Sequence, residues 1–388
     1  MSLKKLTLQN FRNYEAAEFQ FDPGVTIFTG SNGIGKTSIL EAISLLGSTR
    51  SFRAGKNEDF ILRGKEQACL QALVHSHGLE NDLKLVIKPH GKSLYQNEKL
   101  VRKIQSLSPV IASVVFSPSD HRIVEGDSSD RKQFLNRAIC NVDWSYTETL
   151  SKFNQVLLQR NQLLKRVAEQ SIHSVEAQLE AWDEQFFTLG NELMLARENY
   201  LNELNTKIFS EYRKISNKEE NFSLQYLPLG EEKNDASTFN TRDEMWRKLS
   251  KDSLRRDLIV GSTAVGPHKD EILLTLNGNK VKFYGSQGEK RTCALALRLG
   301  EVALFREKMN STPVLLIDDV SSELDSHRRQ ALVELLKQED AQVLITATEL
   351  PTSLMEELDR SIVHWDLMKL GEMKHGNHGK VFQQLYRG

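Results

Sequence analysis

With 388 residues, 39% of them hydrophobic and 27% charged, the chain is a globular protein of roughly two or three domains. Its 51 basic and 52 acidic residues leave a net charge of −1, which excludes bulk attraction to nucleic acid and confines any such surface to a local patch. No run approaches the ~18 apolar residues of a membrane span, and MSLKKLTLQNFRNY lacks the apolar block of a secretory signal. Cys69, Cys140 and Cys293 are far apart, have no metal-ligand spacing, and read as reduced thiols of a cytoplasmic protein.

The chain opens on three alternating runs, LKKLTLQNF, AEFQF and GVTIFTG, which predict strands. KTSILEAISLL follows at once, with Ile39, Leu40, Ile43 and Leu46 at helical spacing. DLKLVIK, turned by PHGK, and VVFSP continue the strand-like text to about residue 125. Beyond residue 131 the texture becomes helical. One run carries Leu150, Phe153, Leu157, Leu164 and Val167, with a polar gap at Arg160; a second carries Val175, Leu179, Trp182, Phe186, Leu189, Leu193, Ala196 and Tyr200, and continues through Leu204, Ile208 and Tyr212. Such a stripe fits either two helices of an antiparallel arm or two core helices of a compact bundle. Residues 216–253 read as polar loops, and EILLTLNGNKVKFY as a hairpin about Asn-Gly. VLLIDDV and AQVLITAT read as buried parallel strands alternating with the helical patterns RRQALVELLKQ and PTSLMEELDR, an α/β arrangement.

The chemistry concentrates in GSNGIGKT, which fits G-x-x-x-x-G-K-[ST] between a strand and a helix. In this loop Gly30, Ser31, Asn32, Gly33, Ile34 and Gly35 offer backbone amides to phosphate oxygens. Lys36 brings a positive charge to the outer phosphates, and Thr37 brings a hydroxyl to Mg²⁺. The nucleotide expected is ATP. The matching acid at a strand end is Asp318, a second metal ligand beside Thr37; Asp319 either orients and deprotonates the attacking water or acts electrostatically. YGSQGEKRT, before the apolar run of a helix, presents Ser286 and Gly288 at a helix start, an arrangement suited to an anionic phosphate.

A phosphate loop separated from its acid by a helical insertion resembles the ATP-binding-cassette class, in its branch of SMC and Rad50 heads. Ser286, Gln287, Gly288 and Glu289 fall where that class has its signature. LTLQNFRNY, GSNGIGKTSILEAI, VVFSPSDHRIVEGDSSDRKQFLNRAI, VGPHKDEI, GSQGEKRTCALALRLGE and LLIDDVSSELD together resemble the RecF recombination-mediator family. The resemblance implies an α/β ABC-type P-loop ATPase head over 1–125 and 252–388, with a mainly helical insertion at 126–251. It also implies catalytic roles for Lys36, Asp318, Asp319 and Ser286, the last acting on a nucleotide held by a second copy of the chain, with Asp325 near that interface. The implied activity is a slow Mg²⁺-dependent ATPase whose ATP-driven homodimer clamps single- and double-stranded DNA at gaps or junctions. The implied context is recombinational repair, replication and the SOS response, alongside RecR and RecO. The alternative is the nucleotide-binding subunit of an ABC transporter. Two departures bear on rate: Glu289 replaces the signature glutamine, and Thr346 or Thr348 stands where cassette transporters have a switch histidine.

Lys84, Lys88, Lys92, Lys99, Arg102 and Lys103 in the hairpin region, with Arg160, Lys165 and Arg166 in the insertion, are candidate DNA contacts. Arg12, Asn13 and Tyr14 either approach the nucleotide or stabilise their hairpin, and His268 is read as structural.

Overall fold

The computed structural model describes residues 1–49, 51–53, 55–76, 78–101, 110–166, 172–229, 242–319, 326–337, 341–350, 352–358, 361–368 and 384–386. Two compact units emerge: 1–121 with 207–220 and 291–388, and 122–206 with 221–290. These bounds differ from the expected breaks at 125/126 and 251/252, because 252–290 packs with the helical segment and 207–220 with the first unit.

The first unit holds two six-stranded sheets. One is antiparallel, built from β1 (Ser2–Phe11), β2 (Tyr14–Gln20), β4 (Ala68–Ser76), β5 (Leu79–Lys88), β6 (Gly91–Gln96) and β7 (Lys99–Leu100), in the order β2-β1-β4-β5-β6-β7. Its strands alternate buried and exposed residues as an amphipathic sheet requires, with Leu3, Leu6, Leu8 and Phe11 inward on β1. The other sheet contains β3 (Val25–Thr29), β8 (Ser113–Phe116), β12 (Val314–Ile317), β13 (Val343–Ala347), β14 (Ile362–Asp366) and β15 (Gln384–Tyr386). Its order is β15-β14-β3-β13-β12-β8, parallel except for β15. All residues of β3, β12 and β13 are buried, as expected for parallel strands covered on both faces. Phe19 of β2, Phe28 of β3 and Trp365 of β14 meet with ring centroids 5.4 to 6.4 Å apart, so aromatic packing joins the two sheets.

Helix α1 (Lys36–Ser48) carries a buried carboxylate, Glu41. Arg12, in the turn between β1 and β2, grips it through two bonds of 2.8 Å, and Ser51 donates to it. The bidentate pair fixes that hairpin turn to the helix. A short α2 (Asn57–Phe60) follows, and α3 (His121–Glu125) runs across the 121/122 division.

The second unit is built on α4 (Ser128–Val142), α5 (Trp144–Lys165), the 45-residue α6 (Ile172–Ser216) as far as Thr206, and α7 (Arg242–Val260). It also holds a small sheet, β9 (Phe222–Leu227), β10 (Glu271–Leu276) and β11 (Asn279–Lys280), ordered β11-β10-β9, and the single turn α8 (Val281–Tyr284). Phe153 of α5 stacks on Phe186 of α6 at 5.3 Å, and Phe186 and Phe187 close on Trp246 of α7 at 5.2 and 4.9 Å. Leu163, Leu164 and Leu179 cluster with Trp182, Leu254 and Leu258. Of the two arrangements left open by the stripe, the compact one is therefore formed, with α7 as third partner.

Part of the reading of 216–253 is overturned. FSLQYL is strand β9, which pairs with β10 through Leu224 and Leu274, and residues 242–260 form α7. The Asn-Gly turn is as expected, with Asn277 and Gly278 at φ 50° and 81°, but the second arm pairs for only two residues before α8 begins. Completing the first unit are α9 (Gln287–Met309) from Arg291 onward, α10 (Ser326–Leu336) and α11 (Thr352–Leu358).

His268 packs against Phe153 and Phe186, and its Nε2 lies 3.0 Å from the Thr263 carbonyl oxygen. Burial lowers its pKa from 6.5 to about 4, opposed by the bond to Thr263. It therefore stays neutral while the same residue in the unfolded chain takes up a proton below pH 6.5. The folded state accordingly loses stability as pH falls from 6.5 towards about 4. Denaturant unfolding of His268→Gln across this window is expected to show a shallower acid decline than the parent chain.

Candidate nucleotide site

The parallel register sets the site. Thr29 pairs with Ala347, Ile345 with Ile317 and Ile317 with Phe116, so Gly30, Thr346, Asp318 and Ser117 come together at one carboxyl edge of the sheet. Ligands of open α/β sheets bind at this edge.

Residues 30–37 leave β3 and enter α1 with Gly30, Gly33 and Gly35 at φ 149°, 82° and 115°. Gly35 is the tightest of them. A Cβ there would lie 2.7 to 2.8 Å from the Asn13 amide and the Tyr14 ring. Asn13 donates from Nδ2 to the Ile34 carbonyl at 2.7 Å, so the β1–β2 turn braces the loop from above. Of the two roles open to Arg12, Asn13 and Tyr14, the structure gives a contact with the loop itself through Asn13 and Tyr14, and an anchor on Glu41 through Arg12.

Lys36 is buried and donates to the carbonyls of Gly30 at 2.6 Å and Ser31 at 3.1 Å, lying across the loop. Burial pushes its ammonium below the ordinary lysine range, while the carboxylates of Asp319 and Asp318 pull it back up. Thr37 donates its hydroxyl to Asp318 Oδ1 at 2.8 Å. Thr346, fully buried, donates to the same oxygen at 2.8 Å and accepts the Asp319 amide at 3.0 Å. In the sequence, Thr346 or Thr348 stands where a switch histidine would be. The Thr346 hydroxyl ties the two acids together, holding Asp319 at a left-handed φ of 52°.

Thr37 and Asp318 present a hydroxyl and a carboxylate side by side, a donor set suited to a hard cation such as Mg²⁺. No group of three or more His, Cys, Asp or Glu able to hold a metal occurs among the described residues.

Beside the acid pair lies a cavity of about 110 Å³ lined by Ser117, His121, Arg291, Asp318, Asp319 and Arg328, among others. Its floor includes Arg298 of α9, which donates to Asp120 at 2.7 Å and Glu301 at 2.8 Å. None of these arginines was singled out in the sequence, where cations inside an apolar helical run carry no distinct signal.

Ser286 and Gly288 belong to the second unit. Ser286 and Glu289 form a reciprocal cap at the start of α9: Glu289 Oε2 accepts from the Ser286 amide at 2.7 Å and hydroxyl at 2.9 Å, and the Glu289 amide donates to the Ser286 hydroxyl at 3.3 Å. Glu125 holds the same turn, accepting from Gln287 at 3.1 Å and pairing with Lys290 at 3.2 Å. Lys282, just before, donates to the Gly126 carbonyl at 2.9 Å.

Among the candidate DNA contacts, Arg160 is corrected. It is buried against Asp183 at 2.9 Å and over the Phe186 ring at 4.5 Å, so it serves the helical core. Lys92 donates to the Thr49 carbonyl and covers Phe60. Lys84, Lys88, Lys99, Lys165 and Arg166 are exposed. Arg102, Lys103 and Asp325 lie outside the described residues, as does Val167. Among the described residues no helix is long and apolar enough to cross a membrane.

A phosphate loop braced at Gly35 and an acid held by two hydroxyls, one from the first turn of α1 and one from the end of β13, define an ABC-type P-loop ATPase head. A family model described as "RecF/RecN/SMC N terminal domain" matches residues 2–364. The chain is 36% identical over 351 residues to "DNA replication and repair protein RecF" of Agathobacter rectalis, covering 90% of this chain and 93% of that one. It is 33% identical over 378 residues to the protein of the same name from Heliobacterium modesticaldum, covering 97% and 100%. A solved structure described as "the recombination mediator protein RecF-ATPrS in RecFOR pathway" superposes with a TM-score of 0.80 at 31% identity, covering 94% and 95% of the two chains. The chain belongs to the RecF family.

Gly35→Ala is expected to weaken ATP binding by about tenfold or more, through crowding of Asn13 and Tyr14 on top of roughly 1–3 kcal/mol of backbone strain. Gly64, at φ 85° with nothing within 4 Å, is the control. Titration with a fluorescent nucleotide should find Gly64→Ala unaffected.

Proposed function

We propose that this chain is an ATP-dependent DNA-binding protein of recombinational repair, a slow Mg²⁺-dependent ATPase whose nucleotide cycle times its hold on DNA. The observation that carries this reading is the convergence of Thr37 and Thr346 on Asp318 next to the lysine-bearing loop. The relatives named for DNA replication and repair supply the context, and they do not favour a transporter subunit.

Lys36 and the loop amides hold the outer phosphates, and Thr37 with Asp318 hold the metal. A bound Mg²⁺ would neutralise charge on the phosphates in the displacement reaction. Asp319 sits at the same edge to orient the attacking water.

Ser286 and the start of α9 act on a nucleotide held by a second copy of the chain. To reach a phosphate, the Ser286 hydroxyl exchanges its bond to Glu289 for one to a phosphate oxygen. The Glu289 carboxylate then stands near a like charge, which slows assembly and turnover relative to a glutamine at that position. The closed homodimer clamps DNA at gaps or junctions, and hydrolysis removes the phosphate that keeps it closed. RecR- and RecO-type proteins are the partners, and the cytoplasm is the location.

Mixing tests the shared site. Lys36→Met and Ser286→Arg chains, each inactive alone, are expected to regain ATPase when combined, to roughly a quarter to a half of the parent rate, because one composite site per mixed dimer is intact. Sedimentation should show dimers of the parent chain with ATP and monomers with ADP. Mixtures as inactive as their components would place all of the chemistry in one chain.

A further inference from the structure

Helix α7 carries a surface that its sequence does not announce. Met245, Trp246, Ser250 and Asp257 face the core of the second unit. Lys251, Arg255, Arg256, Ile259 and Val260 are exposed, the last two at 86% and 61%, more than an aliphatic side chain ordinarily presents to water. Lys251, Arg255 and Ile259 are spaced four apart and form one row along the helix, the two cations about 6 Å apart along the axis. Among the described residues neither Lys251 nor Arg255 takes part in an ion pair.

The row ends where α5 ends. Thr263 donates its amide to Asn161 of α5 at 2.8 Å, and a Cβ at Gly261 would lie 3.0 Å from Lys165 Cγ. Exposed Lys165 and Arg166 therefore extend the row at the α5–α7 corner. Five cations, with exposed Asp252 among them and buried Asp257 attracting Arg256 from beneath, leave a positive strip on a chain whose net charge is −1. A strip of this kind complements a phosphodiester backbone. Ile259 at its end offers an apolar contact to sugars or base edges.

We infer that the exposed face of α7, with Lys165 and Arg166 at the end of α5, is a contact surface for the phosphate backbone of duplex DNA. The inference rests on the DNA-binding reading above and adds a location to it.

The experiment is fluorescence anisotropy of a labelled duplex with the full chain and ATP, repeated over a series of salt concentrations. Each phosphate contact contributes about 0.9 to the slope of log K against log salt. Lys251→Ala/Arg255→Ala is therefore expected to lower that slope by about 1.8 and weaken binding about tenfold or more at low salt. Lys251→Arg/Arg255→Lys should keep the parent slope, which a purely structural role for these positions would not require. Ile259→Ala should weaken binding two- to fivefold with the slope unchanged, roughly 0.4–1 kcal/mol. ATP-dependent sedimentation of every variant should match the parent.

If the double alanine variant keeps the parent slope and affinity while Lys84→Ala/Lys88→Ala loses them, the surface lies on the β5 hairpin and this inference is overturned, with DNA binding intact. A parent chain that binds no duplex with or without ATP overturns both readings together.

Discussion

Asp318 Oδ1 is the point on which the site depends. Two hydroxyls meet there, one from the first turn of α1 and one from the end of β13, and the second also receives the amide of Asp319. Three strands that are remote in sequence are thereby pinned at one edge. The bonds are short and partly buried, where the local dielectric is low and a carboxylate left without donors would be costly. The acid is fixed in place, with the Thr37 hydroxyl held beside it at 2.8 Å.

What surrounds that oxygen follows from sheet order. Parallel pairing of β3, β13, β12 and β8 in register brings every strand end to one side. The loop then leaves β3 with left-handed glycines, and the β1–β2 turn closes over it through Asn13 and Tyr14. Arg12, locked to Glu41, makes that turn part of the α1 scaffold, so the phosphate loop and the antiparallel sheet are mechanically one body within the first unit.

The site was largely legible in the sequence because its chemistry is local. GSNGIGKT and VLLIDDV each place the needed groups within a few residues, and strand burial follows from uninterrupted apolar runs. For Thr346 the sequence offers only a place, shared with Thr348, where a histidine would stand; its bonds to both acids depend on strand order, which the sequence does not display. Helix α7 escaped because only Met245, Trp246, Ser250 and Asp257 of it are buried, and its stability comes from partners such as Phe186 and Phe187. Arg160 misled for a related reason. A cation interrupting an apolar stripe looks solvent-facing, yet here Asp183 and the Phe186 ring receive it inside. In the hairpin, the Asn277-Gly278 turn was fixed by backbone preference, whereas the length of its second arm was decided by α8 and Lys282 reaching Gly126.

The central claim, that Asp318 and Thr37 together hold the metal of a bound nucleotide, is tested most directly with Mn²⁺ in place of Mg²⁺. Electron paramagnetic resonance titration in the presence of ATP measures the metal affinity, and calorimetry without metal measures the nucleotide alone. Asp318→Asn is expected to weaken Mn²⁺ binding by about tenfold or more, some 1.4 kcal/mol or greater, while metal-free ATP binds as in the parent chain. An unchanged Mn²⁺ affinity and spectrum in that variant would contradict the account.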